Sequence, residues 1–205
     1  IGKASKASPA DVDKALKSAE RGFEVWKKTK PWERSKIIRK IADEIRKKSK
    51  VFANWMTLET GKTLAEGEAE ANAAADIFEW NAEETKRIYG QSLQSRVDDT
   101  KIQIIYQPVG VVAALSPWNF PLILAARKVS ASLAAGCSVI CKPDVITQGT
   151  VMEMVDTIKD CGVLPGAVNL LSGDQAAITT QLLSSDIVKQ VSITGSTRVG
   201  KIILR

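Results

Sequence analysis

The chain has 205 residues, 44% of them apolar and 25% charged, and its 29 basic against 23 acidic side chains leave a net charge of +6. These values belong to a folded protein and exclude a disordered, collagen-like or disulfide-stapled chain. The absence of histidine excludes imidazole chemistry, and the three cysteines, Cys137, Cys141 and Cys161, show no metal-ligand spacing.

No metal site is therefore expected, and the cysteine usage suits a reducing, cytoplasmic compartment. No apolar run reaches the ~18 residues of a membrane span, and no secretory signal is visible. The chain starts at Ile1 and not Met, and it stops at Arg205 inside an apolar-periodic run. Both ends are expected to be processed, clipped or truncated.

Residues 1–90 read as a helical part. Ser8 is a predicted N-cap, Pro9 suits the first helical position, and Asp11 follows the cap at capping-box distance. Val12, Ala15, Leu16, Ala19, Phe23 and Trp26 form one apolar stripe. Pro31 interrupts the pattern, and a second helix from about Trp32 carries Ile37, Ile38, Ile41 and Ile45. A third is predicted from about Val51 to Glu59, ending on Gly61. A fourth, rich in Ala and Glu, is predicted from about Leu64 to Tyr89, with Gly90 closing it. Its Phe78 and Trp80 read as packing residues.

Residues 91–101 are polar and turn-like, and Ile102 to Tyr106 reads as a strand. From Gly110 onward apolar strands alternate with helices. The predicted strands are Val111 to Ser116, Ser138 to Cys141, Ala167 to Leu171 and Lys189 to Thr194. The predicted helices are Phe120 to Ala135, Thr150 to Cys161, Gln175 to Ser184 and one starting at Ser196. Four strands with short connections and intervening helices predict an α/β fold, a parallel sheet with helices on both faces.

Residues 27–50 hold eleven basic side chains against three acidic ones. A nucleic-acid surface is the sharper reading and a solvated helix face the plainer one. The isoleucine stripe leaves the basic residues on the opposite side, and no aromatic interleaving accompanies them. The plainer reading is adopted, with neither nucleic acid nor membrane expected as a partner.

Ligands of open parallel sheets bind beyond the carboxyl ends of the strands. After the first strand comes Ser116-Pro-Trp-Asn-Phe-Pro121, where two prolines fix the backbone around an asparagine amide, a donor suited to an oxyanion. After the second comes Lys142, within reach of a ribose hydroxyl or a phosphate. After the third comes Ser172-Gly-Asp174, and no G-x-G-x-x-G fingerprint exists. After the fourth comes Thr194-Gly-Ser-Thr-Arg-Val-Gly200, where Ser196 can cap the next helix and face an anion. Each feature alone is equally a turn, a surface lysine or a plain cap. Together, at successive strand tips, they predict one extended ligand across the sheet edge.

These segments resemble the aldehyde dehydrogenase family. The resemblance rests on residues 116–121, Leu133-Ala-Ala-Gly-Cys137, Cys141-Lys-Pro143 and Thr194-Gly-Ser-Thr-Arg-Val-Gly-Lys201. Met56-Thr-Leu-Glu-Thr-Gly-Lys62, Phe78-Glu-Trp80 and Ala82-Glu-Glu-Thr-Lys-Arg-Ile-Tyr-Gly90 are similar to its succinate-semialdehyde dehydrogenase branch. The resemblance implies a Rossmann-like domain binding NAD or NADP and a small aldehyde substrate, oxidised through a cysteine thiohemiacetal that a glutamate-activated water hydrolyses. It implies Asn119 as the oxyanion donor, Lys128 as a lysine beside the active site and Arg127 as the fork for a substrate carboxylate. It implies cofactor contacts from Ser116, Pro117, Trp118, Asn119, Lys142, Val145, Gly173, Thr194, Gly195, Ser196 and Val199.

Val145 stands where many NAD-preferring members carry a ribose-binding glutamate, so NADP use is expected to be open to this chain. The resemblance further implies an incomplete protein. Residues 91–108 correspond to the β-arm of a homodimer or tetramer, and residues 109–205 to a truncated nucleotide-binding part. The family's nucleophile and base lie downstream, so this chain alone is expected to be inactive. The alternative reading is a non-catalytic nucleotide-binding module or degenerate paralogue.

Overall fold

In a computed structural model that describes residues 2–204, the first helix starts where its capping chemistry predicts. Ile1 and Arg205, and with them the expectations about the chain ends, lie outside the described residues. The Ser8 hydroxyl accepts the Asp11 N–H, the Asp11 carboxylate accepts the Ser8 N–H at 3.1 Å, and α1 (Pro9–Trp26) follows. The expected break lies between Trp26 and Pro31, and Pro31 itself opens α2 (Pro31–Lys47), one residue before the predicted start, where its missing N–H needs no partner. Helix α3 (Ser49–Thr60) ends on Gly61 at φ +76°, and a second capping box, Thr63 with Glu66, opens α4 (Leu64–Thr85).

Three expectations are corrected here. Helix α4 stops four residues before Tyr89, because the Lys86 and Arg87 N–H groups turn back onto the Glu83 and Glu84 carbonyls. Gly90 does not close it. Phe78 is fully buried, but Trp80 is 70% exposed. Two residues along a helix turn by roughly 200°, so the pair cannot share a face. The polar stretch after Gly90 contains a strand, β1 (Gln91–Gln94), paired antiparallel with β2 (Lys101–Ile104). Both strands are exposed on both faces, so β1 carries no apolar alternation to reveal it.

The main sheet is parallel throughout, in the order β5-β4-β3-β6. Its strands are β3 (Val111–Leu115), β4 (Ser138–Lys142), β5 (Val168–Leu170) and β6 (Val188–Ile193). The remaining helices are α5 (Pro121–Ala135), α6 (Gln148–Asp160), α7 (Gln175–Leu183) and α8 (Thr197–Ile203). Strand side chains alternate between two cores. Val112, Ala114, Val139 and Cys141 face α5 and α6, with α2, α3 and α4 behind them. Val111, Ala113 and Ile140 face Val12, Leu16 and Ala19 of α1 and Ile178 and Leu182 of α7. Helices therefore cover both faces, as expected. The chain steps outward from β3 to β4 to β5, then crosses the other face and returns beside β3 as β6. That reversal makes β3 the switch point of the sheet.

Neither α5 nor α6 has a side-chain cap of its own. Carboxylates from distant helices supply them. Glu70 of α4 accepts the Leu122 and Ile123 N–H groups at 3.0 and 3.2 Å. Glu59 of α3 accepts the Gly149 and Thr150 N–H groups at 2.5 and 3.1 Å. Negative charge at a helix N-terminus is favourable for the dipole as well as for the unpaired donors.

The basic run is more than a solvated face. Arg39 pairs with Glu79 and Glu83, and Arg46 with Asp76 and Glu79, all across the α2–α4 seam. Lys48 reaches Glu153 of α6 at 3.0 Å. Arg34 is buried, donating to the carbonyls of Ala134 and Thr29.

Candidate active-site and nucleotide cleft

The strand tips meet at the switch point. The Ser116 N–H donates to the Lys142 carbonyl at 3.2 Å, and the Thr194 N–H to the Leu115 carbonyl at 3.1 Å. The ends of β4, β3 and β6 are thereby level. Beyond them opens a cleft of about 650 Å³. Its floor is Leu115, Ser116 and Lys142. One wall is the β3–α5 turn with Pro117 and Trp118, and the opposite wall is the turn with Thr194, Gly195, Ser196 and Val199. The third side is α7, through Gln175, Thr179 and Leu183.

Sequence reasoning missed that third side. The spacing of Gln175, Thr179 and Leu183 at i, i+4 and i+8 marks one helix face, which was the available signal. It was masked because this face carries neither charge nor glycine.

Lys142 is 4% exposed, and its ammonium donates to the Gln175 side-chain oxygen at 2.8 Å, joining β4 to the start of α7. Burial pushes its pKa down, against the opposing influence of Asp144, Cys141 and Asp174. Lys128 is buried under the same edge. It donates to the Thr194 hydroxyl at 2.6 Å and the Leu124 carbonyl at 3.2 Å, tying α5 to the β6–α8 turn. Burial lowers its pKa as well. Ser116 is buried with a side-chain oxygen that meets no partner among the described residues. A buried hydroxyl left open on a cleft floor is suited to a ligand. The Ser196 oxygen accepts the Val199 N–H at 3.3 Å, which is the plain capping role; its hydroxyl hydrogen remains free to donate.

The other candidates lie outside this cleft. Asn119 and Arg127 are exposed and do not line it. Val145 and Gly173 border a separate shallow hollow with Ser5, Lys6 and Gln148. Among the described residues no cluster of three metal-ligating side chains exists, and no helix is long and apolar enough to cross a membrane.

All three cysteines are free and buried. Burial pushes the Cys141 thiol up to about 12 from its ordinary 9.0. The folded chain therefore keeps a proton that the unfolded chain loses above pH 9.0. The stability this contributes is complete below pH 9 and is lost as pH rises towards 12, at no more than about 1.4 kcal/mol per pH unit. Lys128 and Lys142 act in the opposite sense, so the comparison must isolate the thiol. Urea unfolding between pH 8 and 11 is expected to show Cys141→Val losing less stability than the unsubstituted chain.

The profile of the aldehyde dehydrogenase family matches residues 1–205. A 4-(hydroxymethyl)benzenesulfonate dehydrogenase of Comamonas testosteroni is 40% identical over 195 residues, covering 95% of this chain and 41% of its own length. A succinate semialdehyde dehydrogenase of Acinetobacter baylyi is 38% identical over 204 residues, covering 100% and 42%. The crystal structure of a succinate-semialdehyde dehydrogenase from Burkholderia pseudomallei superposes with a TM-score of 0.98 at 36% identity, covering 100% of this chain and 42% of that one. The chain thus spans about two fifths of the length of the relatives it matches.

Proposed function

Since this chain belongs to the aldehyde dehydrogenase family, we propose that it forms the N-terminal, nucleotide-binding part of an NAD(P)-dependent aldehyde dehydrogenase. The observation that carries this is the polar-floored cleft at the sheet's switch point, with the buried ammonium of Lys142 and the unpartnered hydroxyl of Ser116 at its base. When bound, NAD(P) supplies the hydride acceptor. Lys142, Ser116 and the Thr194–Val199 turn would hold its ribose and phosphates, with Trp118 at the rim. Lys128 keeps that turn in place through Thr194. Val145, with no carboxylate to repel a 2′-phosphate, supports a role for NADP as well as NAD.

Asn119 is the proposed oxyanion donor, presented by a turn bounded by Pro117 and Pro121. The proposed substrate is succinate semialdehyde or a similar ω-carboxy aldehyde. Three of its relatives are named for succinate semialdehyde, glutarate semialdehyde and a benzenesulfonate, each with one anionic group away from the carbon that is oxidised. Arg127, exposed on α5 and in no ion pair among the described residues, is a guanidinium suited to such an anion. In the complete gene product, Arg127→Ala is expected to lower kcat/KM for succinate semialdehyde about 10–100-fold, the worth of a charge-assisted contact. An uncharged aldehyde of similar length should change by less than about threefold. An unchanged preference between the two refutes the role of Arg127.

Residues 1–90, 91–108 and 109–205 are proposed as the helical part, the oligomerisation arm and the Rossmann-like part. The arm leaves Leu93, Ile102, Ile105 and Tyr106 exposed, apolar surface suited to a second copy in a dimer or tetramer. The buried, unpaired thiols suit a cytoplasmic setting. The second reading, a non-catalytic nucleotide-binding module, is favoured by the same burial, which leaves no thiol among the described residues available as a nucleophile. Aldehyde oxidation by the complete gene product separates the two.

A further inference from the structure

We infer that Lys62 and Glu70 form a positioning pair that orders the loop presenting Asn119. The inference rests on the reading of Asn119 as oxyanion donor. Glu70 is buried and Lys62 partly so, with side-chain exposures of 2% and 11%, and the Lys62 ammonium contacts one Glu70 oxygen directly. The other Glu70 oxygen accepts the N–H groups of Leu122 and Ile123 at 3.0 and 3.2 Å. The Lys62 ammonium also donates to the Asn119 carbonyl at 3.3 Å and sits 4.3 Å from the centre of the Phe120 ring.

One ammonium and one carboxylate, from the loop between α3 and α4 and from α4, thus address residues 119, 120, 122 and 123. Pro121 lies between them with its φ fixed by its own ring. Among the described residues the Asn119 side chain makes no hydrogen bond, so the direction of its amide follows from the backbone beneath it. Burying an ion pair is unfavourable against an apolar pair of the same shape, and its merit lies in fixing geometry. An oxyanion donor gains from that fixing, because a donor already in place needs no reorganisation when charge develops.

Removing Lys62 alone leaves Glu70 charged and buried and threatens the fold. The informative variant is therefore the double substitution Lys62→Met with Glu70→Gln, which keeps an acceptor for Leu122 and Ile123 and removes both charges. Lys62→Arg is the conservative partner. In this chain, hydrogen exchange of the 117–123 segment is expected to speed up about tenfold in the double variant, with the sheet amides unchanged. In the complete gene product, kcat is expected to fall about tenfold or more, with the KM for aldehyde and the Kd for nucleotide within about twofold. Lys62→Arg should recover most of the loss.

Unchanged exchange in the double variant overturns the inference. So does an unchanged kcat, or a loss that appears in Kd and not in kcat. If the double variant does not fold, Glu70→Gln alone decides, because it keeps the acceptor for Leu122 and Ile123 and removes the carboxylate: faster exchange of the 117–123 segment with a lower kcat supports the pair, and unchanged values overturn it. A complete gene product that oxidises no aldehyde refutes the proposed function, and the exchange measurement then decides the ordering of the loop by itself.

Discussion

Gly22→Ala is expected to cost this chain at least about 3 kcal/mol of stability, the upper end for overpacked sites. A methyl group at position 22 would lie 2.0 Å from the Gly166 carbonyl carbon, 2.3 Å from its oxygen and 2.5 Å from the Ala167 nitrogen. All three are backbone atoms, so no side chain can rotate away. Helix α1 would have to lift from the sheet. Lifting would break the Ser138 hydroxyl's bond to the Ala19 carbonyl at 2.7 Å and the Trp26 indole's bond to the Leu133 carbonyl at 3.0 Å. It would also open the core that Val12, Leu16 and Ala19 share with Ile140. Typical domains have only about 5–15 kcal/mol in total, so the loss is a large fraction of it and the denaturation midpoint should fall markedly. Urea denaturation checks this, with Gly200→Ala alongside. A methyl group there meets nothing within 4 Å, and no loss is expected. Equal midpoints for the two variants would show that α1 does not sit on the sheet as described.

Lys142→Met is expected to weaken NAD(P) binding by about 10–100-fold, the range for a hydrogen bond to a charged donor. Methionine keeps much of the volume and removes the ammonium, so the floor of the cleft persists without its cation. The fold should survive, because the side chain gives up only its bond to Gln175. Calorimetric titration of both nucleotides into the two chains measures the effect. An equal loss for Lys36→Met, exposed on α2 and lining no part of the cleft, would mean that net charge and not the site had been measured.

Much of the sheet and its edge could be read from residue order. Four apolar runs separated by helices specify the parallel strands, and the switch-point rule places a ligand cleft beyond their carboxyl ends. Ser8 and Asp11 specified the start of α1, because a capping box is local chemistry. What could not be read was the chemistry that acts across the chain. Glu59 and Glu70 sit in helical patterns as ordinary charged residues, yet each caps a helix that starts tens of residues later. Nothing near Leu122 or Gly149 announces a missing cap. Trp80 is a different case: it stands roughly 200° around α4 from the buried Phe78, so helix angle and not aromatic character sends it to solvent. Strand β1 failed because an exposed ribbon needs no apolar face.

At the site, Ser116, Pro117, Trp118, Lys142, Thr194, Gly195, Ser196 and Val199 are gathered on one cleft. Asn119, Arg127, Val145 and Gly173 lie outside it. The split has a physical origin. Residues at the strand tips are fixed by the sheet register, whereas residues beyond the first turn of the following loop or helix face where the local backbone sends them.

The most direct measurement of the central claim is hydrogen exchange across this chain during titration with NADP+ and NAD+. Saturable binding of at least one nucleotide is predicted, with protection confined to residues 115–118, 142–145, 175–183 and 194–199, and weakened together with affinity in Lys142→Met. No binding of either nucleotide, or protection that falls elsewhere on the chain, would contradict it.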